Sequence, residues 1–261
     1  MAQIKGDLKP AVGSVFTVDP RLLAHRASWE RKAGLRTVYS DYYRQLSDAL
    51  PQDGLTLEIG SGAGHSLGLL RATFRLDVLP CPWINVVADA HALPFADESL
   101  DGIAMLDVLH HLARPRRFLA EAARILKPGG RLAMIEPGIT PLSWIFYRFL
   151  HDEPVDMSAD PLADPEPSGW RDPFESNQAI PTLLFAHERN RMALLKRVPE
   201  LHVVTHRWLS LIAYPLTGGF KSWTLISARC ARWILRFEER LVPLAGAWAG
   251  FRLFVVLEKA R

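Results

Sequence analysis

The residues best placed to do chemistry lie in Leu57-Glu58-Ile59-Gly60-Ser61-Gly62-Ala63-Gly64, where a short apolar run meets three glycines spaced two apart. Glycine lets a chain turn sharply and lets a ligand approach main-chain atoms with no Cβ in the way. A helix following such a turn offers free N–H groups to an anionic or carboxylate end, and His65–Ala72 reads as that helix. A nicotinamide-dinucleotide loop needs Gly-x-Gly-x-x-Gly. Counting from Gly60 the sixth position is His65, and counting from Gly62 it is Leu67, so neither register fits. Further along stand acids that would close strands (Asp77, Asp89, Asp107), an adjacent pair His110-His111, and His151-Asp152-Glu153. Adjacent histidines on a helix point in different directions. No cysteine or acid lies near the pair at ligand spacing, so the sequence predicts no metal site. His151-Asp152-Glu153 reads first as a solvated loop.

Those residues need a scaffold. Apolar runs predict strands at Leu55–Ile59, Phe74–Val78, Asn85–Ala88, Gly102–Asp107 and Arg131–Glu136, with a helix over Pro115–Leu126 stopped by Lys127-Pro128-Gly129-Gly130. Short strands alternating with helices imply a parallel sheet covered on both faces. Arg21–Leu50 carries helical spacing up to Pro51. After Glu136 the alternation fails: Pro141–Leu150 and Ile180–Val198 read as helices around an Asp/Pro-rich loop, and Leu201–His206 and Phe251–Leu257 as two last strands. The expected organisation is therefore one structural domain with N-terminal helices or a lid at 1–54, a ligand-binding core at 55–136, and helical cap insertions plus the last strands at 137–261.

The ordered series Glu58-x-Gly60-x-Gly62-x-Gly64, Asp77, Asp89-Ala90, Leu93-Pro94-Phe95-Ala96-Asp97, Asp107-Val108-Leu109-His110-His111 and Ala120-Glu121-Ala122-Ala123-Arg124-Ile125-Leu126-Lys127-Pro128-Gly129-Gly130 resembles the class I S-adenosylmethionine (SAM)-dependent methyltransferases of the small-molecule "type 11" kind. The resemblance spans residues 55 to 136, about a third of the chain. It implies a Rossmann-like α/β fold with a seven-stranded, mostly parallel sheet, and SAM as cofactor. It further implies that Gly60, Ser61 and Gly62 pass under the methionine moiety, that Gly64 belongs to the same cofactor-binding loop and that Glu58 orients it. Asp77 would take the ribose hydroxyls, Asp89 the adenine amino group and the Ala90 N–H a ring nitrogen. Asp107 would end the fourth strand near the sulfonium. Methyl transfer needs mainly alignment and exclusion of water. Where the acceptor must lose a proton, Glu136, His110, His111 and His151 are the candidate bases. The alternative is a SAM-fold protein that has lost catalysis and serves as a binding or scaffold module.

Composition narrows the partners. A formal net charge of +3 with no basic stripe disfavours nucleic acid, and two cysteines, Cys81 and Cys230, cannot build a disulfide framework. The first residues, Met1 to Asp7, contain no apolar h-region, and the longest apolar run, Leu241–Leu257, is interrupted by Pro243 and Arg252. A cytoplasmic protein with a small-molecule acceptor is expected; the acceptor atom (O, N, C or S) and the oligomeric state stay open. The segments outside the core are rich in Trp144, Phe146, Tyr147, Trp170, Phe174, Phe185, Trp208, Tyr214, Phe220, Trp223, Trp233 and Trp248, which suits a hydrophobic or aromatic acceptor. Within 222–241, apolar residues and Arg229, Arg232, Arg236 and Arg240 recur at three- and four-residue intervals. That pattern permits peripheral contact with a membrane.

Overall fold

The computed structural model describes residues 17–165 and 169–261; the N-terminal segment read for a signal, Met1 to Asp7, lies outside the described residues. In chain order the elements are α1 (Pro20–Arg31), α2 (Ala33–Ala49), β1 (Thr56–Ile59), β2 (Phe74–Asp77), β3 (Val86–Val87), β4 (Leu100–Leu106), α3 (Pro115–Ile125), β5 (Leu126–Pro137), α4 (Pro141–Leu150), α5 (Ile180–Phe185), α6 (Glu188–Arg197), β6 (Leu201–Leu209), α7 (Ala213–Thr217), α8 (Ala228–Ala249) and β7 (Arg252–Lys259). The seven strands form one sheet in the order β3-β2-β1-β4-β5-β7-β6. β1 to β5 pair in parallel, and β7 runs antiparallel to both β5 and β6, so the expected mostly parallel α/β sheet is present.

Side chains alternate across a strand, and the core divides accordingly. Ile103 and Met105 of β4 face one layer with Phe118 and Leu119 of α3 and Leu184 of α5. Ala104 and Leu106 face the other with Leu35, Val38 and Leu46 of α2 and Ala231 of α8. Central strands covered on both faces must be apolar throughout; Leu132–Ile135 of β5 is, and it is buried. The β1–β4 crossing is where the sheet order reverses, the place where open α/β sheets leave a crevice at strand ends.

Four local expectations change. Ile180–Val198 is two helices, α5 and α6, and the amphipathic segment begins later than expected and runs through Pro243 as α8. The helix expected over His65–Ala72 does not form; residues 62–69 make turns. Gly68 adopts φ +78°, which ends any right-handed turn there, and the Ser66 hydroxyl donates to Glu58 Oε2 at 2.5 Å. There is therefore no helix N-terminus behind the glycines, and whatever they hold is held by the loop itself. The strand after α3 starts at once, with Leu126 already paired to Leu100.

Candidate active site

The glycine loop leaves β1 at the crevice. Glu58 is buried there; desolvation raises its carboxyl above the usual range, while Ser66 and Ser61 act against that rise. Gly60 sits at φ +72°, and a Cβ on it would lie 2.2 Å from Val108 Cγ2, so only glycine fits beside the end of β4. Gly62, at φ +39°, donates its N–H to Asp77 Oδ2 at 2.8 Å. A Cβ there would meet no protein atom closer than 3.6 Å, leaving space for a ligand. The Pro80-Cys81-Pro82-Trp83 link folds back beneath the loop: Trp83 Nε1 and, at 3.4 Å, Cys81 Sγ donate to the Gly62 carbonyl.

Asp77 ends β2, buried, with burial raising its carboxyl and backbone donors opposing the rise. Its Oδ1 accepts from Leu79 N at 2.9 Å, so each oxygen keeps a lone pair for an incoming hydroxyl. Asp89 is held by His91, whose N–H and Nδ1 both meet Oδ1, at 2.9 and 2.6 Å. That partner lowers its carboxyl to about 2, and the residue lines the cavity. Ala90 lines the same wall.

Asp107 stands where the resemblance put it, at the end of β4 on the cavity wall, but already tied to protein partners. It stands at φ +58° just past β4, and both carboxylate oxygens are engaged by protein: Oδ2 accepts from Tyr39 Oη at 2.8 Å and Oδ1 from Arg252 Nη1. Arg252 is 2% exposed and lies 3.9 Å above the Tyr214 ring, with its Nε buried and unpartnered. Sequence reading missed this residue as a site group. Its signal was a lone arginine inside the last apolar strand, noted only as a break in an apolar run.

The base candidates separate as well. Glu136 is buried, Oε1 accepting from Val108 N and Leu109 N at 2.9 and 2.8 Å and Oε2 facing His110 Nδ1 at 2.8 Å. It fixes the turn after β4 and does not reach the cavity. His110 lies between Glu136 and Glu153; burial opposes its charge, but the two carboxylates push it up to about 10. His111 is pushed down to about 4 by burial and by the neighbouring His110. His151 lines the cavity, lowered mainly by burial. Contrary to the expectation of divergent histidines, the short 3-10 turn 109–111 puts the two rings 4.2 Å apart, and the segment that leaves α4 brings Glu153 to them.

Gly60–Gly62, Asp77, Asp89, Ala90, Asp107, Arg252 and the histidines line one cavity of about 950 Å³, at the upper end of the range for small-molecule sites, whereas Glu58 and Glu136 lie behind its wall. It runs from Gly60–Gly62, Asp77 and Asp89 past Asp107 to His110, His111 and Glu153, then under Tyr214 and Phe220. The roof is an aromatic stack of which only Phe220 stood out in the sequence: His65 on Phe220 (5.0 Å) and Phe220 on His25 (4.7 Å), with Trp29 backing His65 (4.6 Å) outside the cavity lining. Lys32 Nζ latches α1 to the 219–221 segment by donating to the carbonyls of Gly219 and Lys221 at 2.6 and 3.0 Å. Of the cap aromatics, Trp170, Phe174, Tyr214 and Phe220 line the cavity, Tyr147 and Phe185 are buried elsewhere, and Trp144, Trp233 and Trp248 face outward.

With that geometry in place, residues 57–134 match the family described as a methyltransferase domain. A demethylmenaquinone methyltransferase of Renibacterium salmoninarum is 37% identical over 89 residues, 33% of this chain and 36% of the relative. A malonyl-[acyl-carrier protein] O-methyltransferase of Methylococcus capsulatus is 37% identical over 102 residues, 32% of this chain and 37% of the relative. The chain thus spans little more than a third of the length of these curated relatives. A SAM-dependent methyltransferase from Archaeoglobus fulgidus shares the fold with a TM-score of 0.50 at 18% identity, covering 86% of this chain and 94% of that one.

Proposed function

We propose that the protein transfers the methyl group of SAM to a small lipophilic acceptor held under its aromatic roof, a reading supported by the match of residues 57–134 to the methyltransferase-domain family. One observation carries this reading: a single cavity joins the glycine loop and its two acids to an aromatic chamber. The open space over Gly62 and the spare lone pairs of Asp77 and Asp89 fit the donor. When bound, SAM supplies an already activated methyl group. The chain's own part is placement: Gly60–Gly62 let the donor approach the backbone, Asp77 takes ribose hydroxyls, and Asp89 with Ala90 takes the adenine edge. Asp107, Arg252 and Tyr39 form a rigid floor. The roof of Trp29, His65, Phe220 and His25 excludes water, which favours an in-line transfer between aligned groups. The acceptor atom bonds to the methyl carbon as the carbon–sulfur bond breaks, the electron pair leaving on sulfur.

The acceptor's lipophilic character is supported by the chamber walls and by the outer surface of α8. The inner side of α8 buries Ala231, Glu238 and Gly246. Its outer side exposes Trp233 (68%), Leu244 (83%) and Trp248 (70%), together with Phe237. Arg229, Arg232, Arg236 and Arg240 are exposed alongside, and among the described residues none of the four makes an ion pair. Glu238 points inward and accepts from Ala213 N at 2.7 Å. Neighbouring α4 exposes Ile145, Phe149 and Leu150 just before His151–Glu153 at the cavity. An exposed face that mixes aromatics with unpaired arginines is complementary to the interface of an anionic bilayer. A second copy of the chain would set arginine against arginine. No helix among the described residues is long and apolar enough to cross a membrane, so contact would be peripheral.

Turnover is tested by incubating the protein with methyl-labelled SAM and, separately, a bacterial lipid extract and an aqueous metabolite extract. Label entering a lipid-extract component is expected. SAM binding with no label transferred in either arm would leave the scaffold reading instead.

A further inference from the structure

We propose that His110, His111 and Glu153 bind a divalent first-row transition-metal ion in the wall of the cavity. One donor atom from each of the three lies within 4.8 Å of the others, and all three residues line the cavity. His110 Nε2 stands 3.3 Å from Glu153 Oε2. That is long for a charge-assisted hydrogen bond, which shortens to about 2.7–2.9 Å. It matches the roughly 3.3 Å edge between two donors on a tetrahedral ion with bonds of about 2.0–2.1 Å.

The two histidines are also anchored from behind, as metal ligands are. His110 is fixed through Nδ1 on Glu136 Oε2 at 2.8 Å, which directs Nε2 toward Glu153. His111 Nδ1 faces the Glu175 carbonyl at 3.4 Å. Glu153 is held at Oε2, the oxygen that faces His110, by Ser176 Oγ at 2.8 Å and Gln178 Nε2 at 2.5 Å. Gln178 adds an independent sign. It is 2% exposed, lines the cavity, and its Oε1 has no hydrogen-bond partner, an acceptor that a water on the ion would satisfy.

Two imidazoles and one carboxylate suit zinc or ferrous iron rather than magnesium, which favours oxygen donors. Three protein ligands leave positions open toward the chamber. An acceptor hydroxyl bound there would become more acidic and release its proton to water. That role rests on the methyl-transfer reading; the metal site does not.

The test uses tag-free, chelator-stripped full-length protein titrated with Co²⁺, followed by visible absorption and calorimetry. One Co²⁺ per chain with ligand-field bands is expected. His111→Ala and Glu153→Gln should each weaken binding at least tenfold, while His202→Ala, on exposed β6, should bind like the wild type. No spectral change up to millimolar Co²⁺, or equal binding by all variants, would overturn the proposal. SAM titrated into the same metal-free preparations reports on the methyl-transfer reading separately, and its binding by the two variants verifies that they are folded.

Discussion

Asp107 and Arg252, 145 residues apart in the chain, form an ion pair across the floor of the cavity. The guanidinium is buried to 2% exposure and is further held by Tyr39 Oη at 3.3 Å and the face of Tyr214. Removing one partner of such a pair leaves an uncompensated buried charge, typically costing about 3–5 kcal/mol. Asp107→Asn should therefore lower unfolding stability by about 3 kcal/mol, read from urea denaturation. A loss below about 1 kcal/mol would mean that the pair is solvated and that Asp107 is free for a ligand.

Asp77→Ala should weaken SAM at least tenfold, since hydrogen bonds to a charged group contribute on the order of 1.5–3 kcal/mol each. The same change frees the Gly62 N–H, loosening the loop. An unchanged dissociation constant would reduce Asp77 to a loop-bracing residue. Gly62→Val should abolish binding, because it fills the open space and places a β-branched residue at φ +39°.

The roof should open in acid. His65 is pushed down to about 3 by burial and then by His25, against an ordinary value of 6.5. The unfolded chain therefore takes up a proton that the folded chain refuses. Stability tied to His65 is complete above pH 6.5 and is lost as pH falls from there toward 3. His65→Phe keeps the stack between Trp29 and Phe220 but removes the proton. Unfolding free energy between about pH 6 and pH 4 should then fall less steeply, by up to roughly 1.4 kcal/mol per pH unit. Identical slopes for both proteins would contradict this account of the roof.

Sedimentation with vesicles tests the α8 face. Binding to anionic but not neutral vesicles is expected, each arginine adding about 1 kcal/mol. Arg229, Arg232, Arg236 and Arg240 replaced together by glutamine should abolish it. Binding to neither vesicle, or formation of a dimer through α8, would remove the membrane from the account.

The core was legible where local pattern decides structure: the β1 run into Gly60, the acids at strand ends, and α3 stopped before Gly129. The helix expected after Gly64 was not, because the Ser66 bond to Glu58 and the left-handed Gly68 act through tertiary geometry. Long-range pairs were equally hidden. Nothing near Asp107 announces Arg252, and nothing near His110 announces Glu153, since each partner arrives on a distant segment. In α8 the periodicity was visible, but not which residues the sheet would cover: Ala231 is buried, while Trp233 and Phe237 lie outside and stack on each other at 5.9 Å. Two-sided amphipathic spacing does not say which side a sheet will cover.

The central claim is that this crevice holds SAM. Calorimetric titration of SAM and, separately, NAD into the purified protein tests it most directly. One SAM per chain, with no heat from NAD beyond dilution, is the predicted result. NAD binding without SAM binding, or no response to SAM at millimolar concentration, would contradict it.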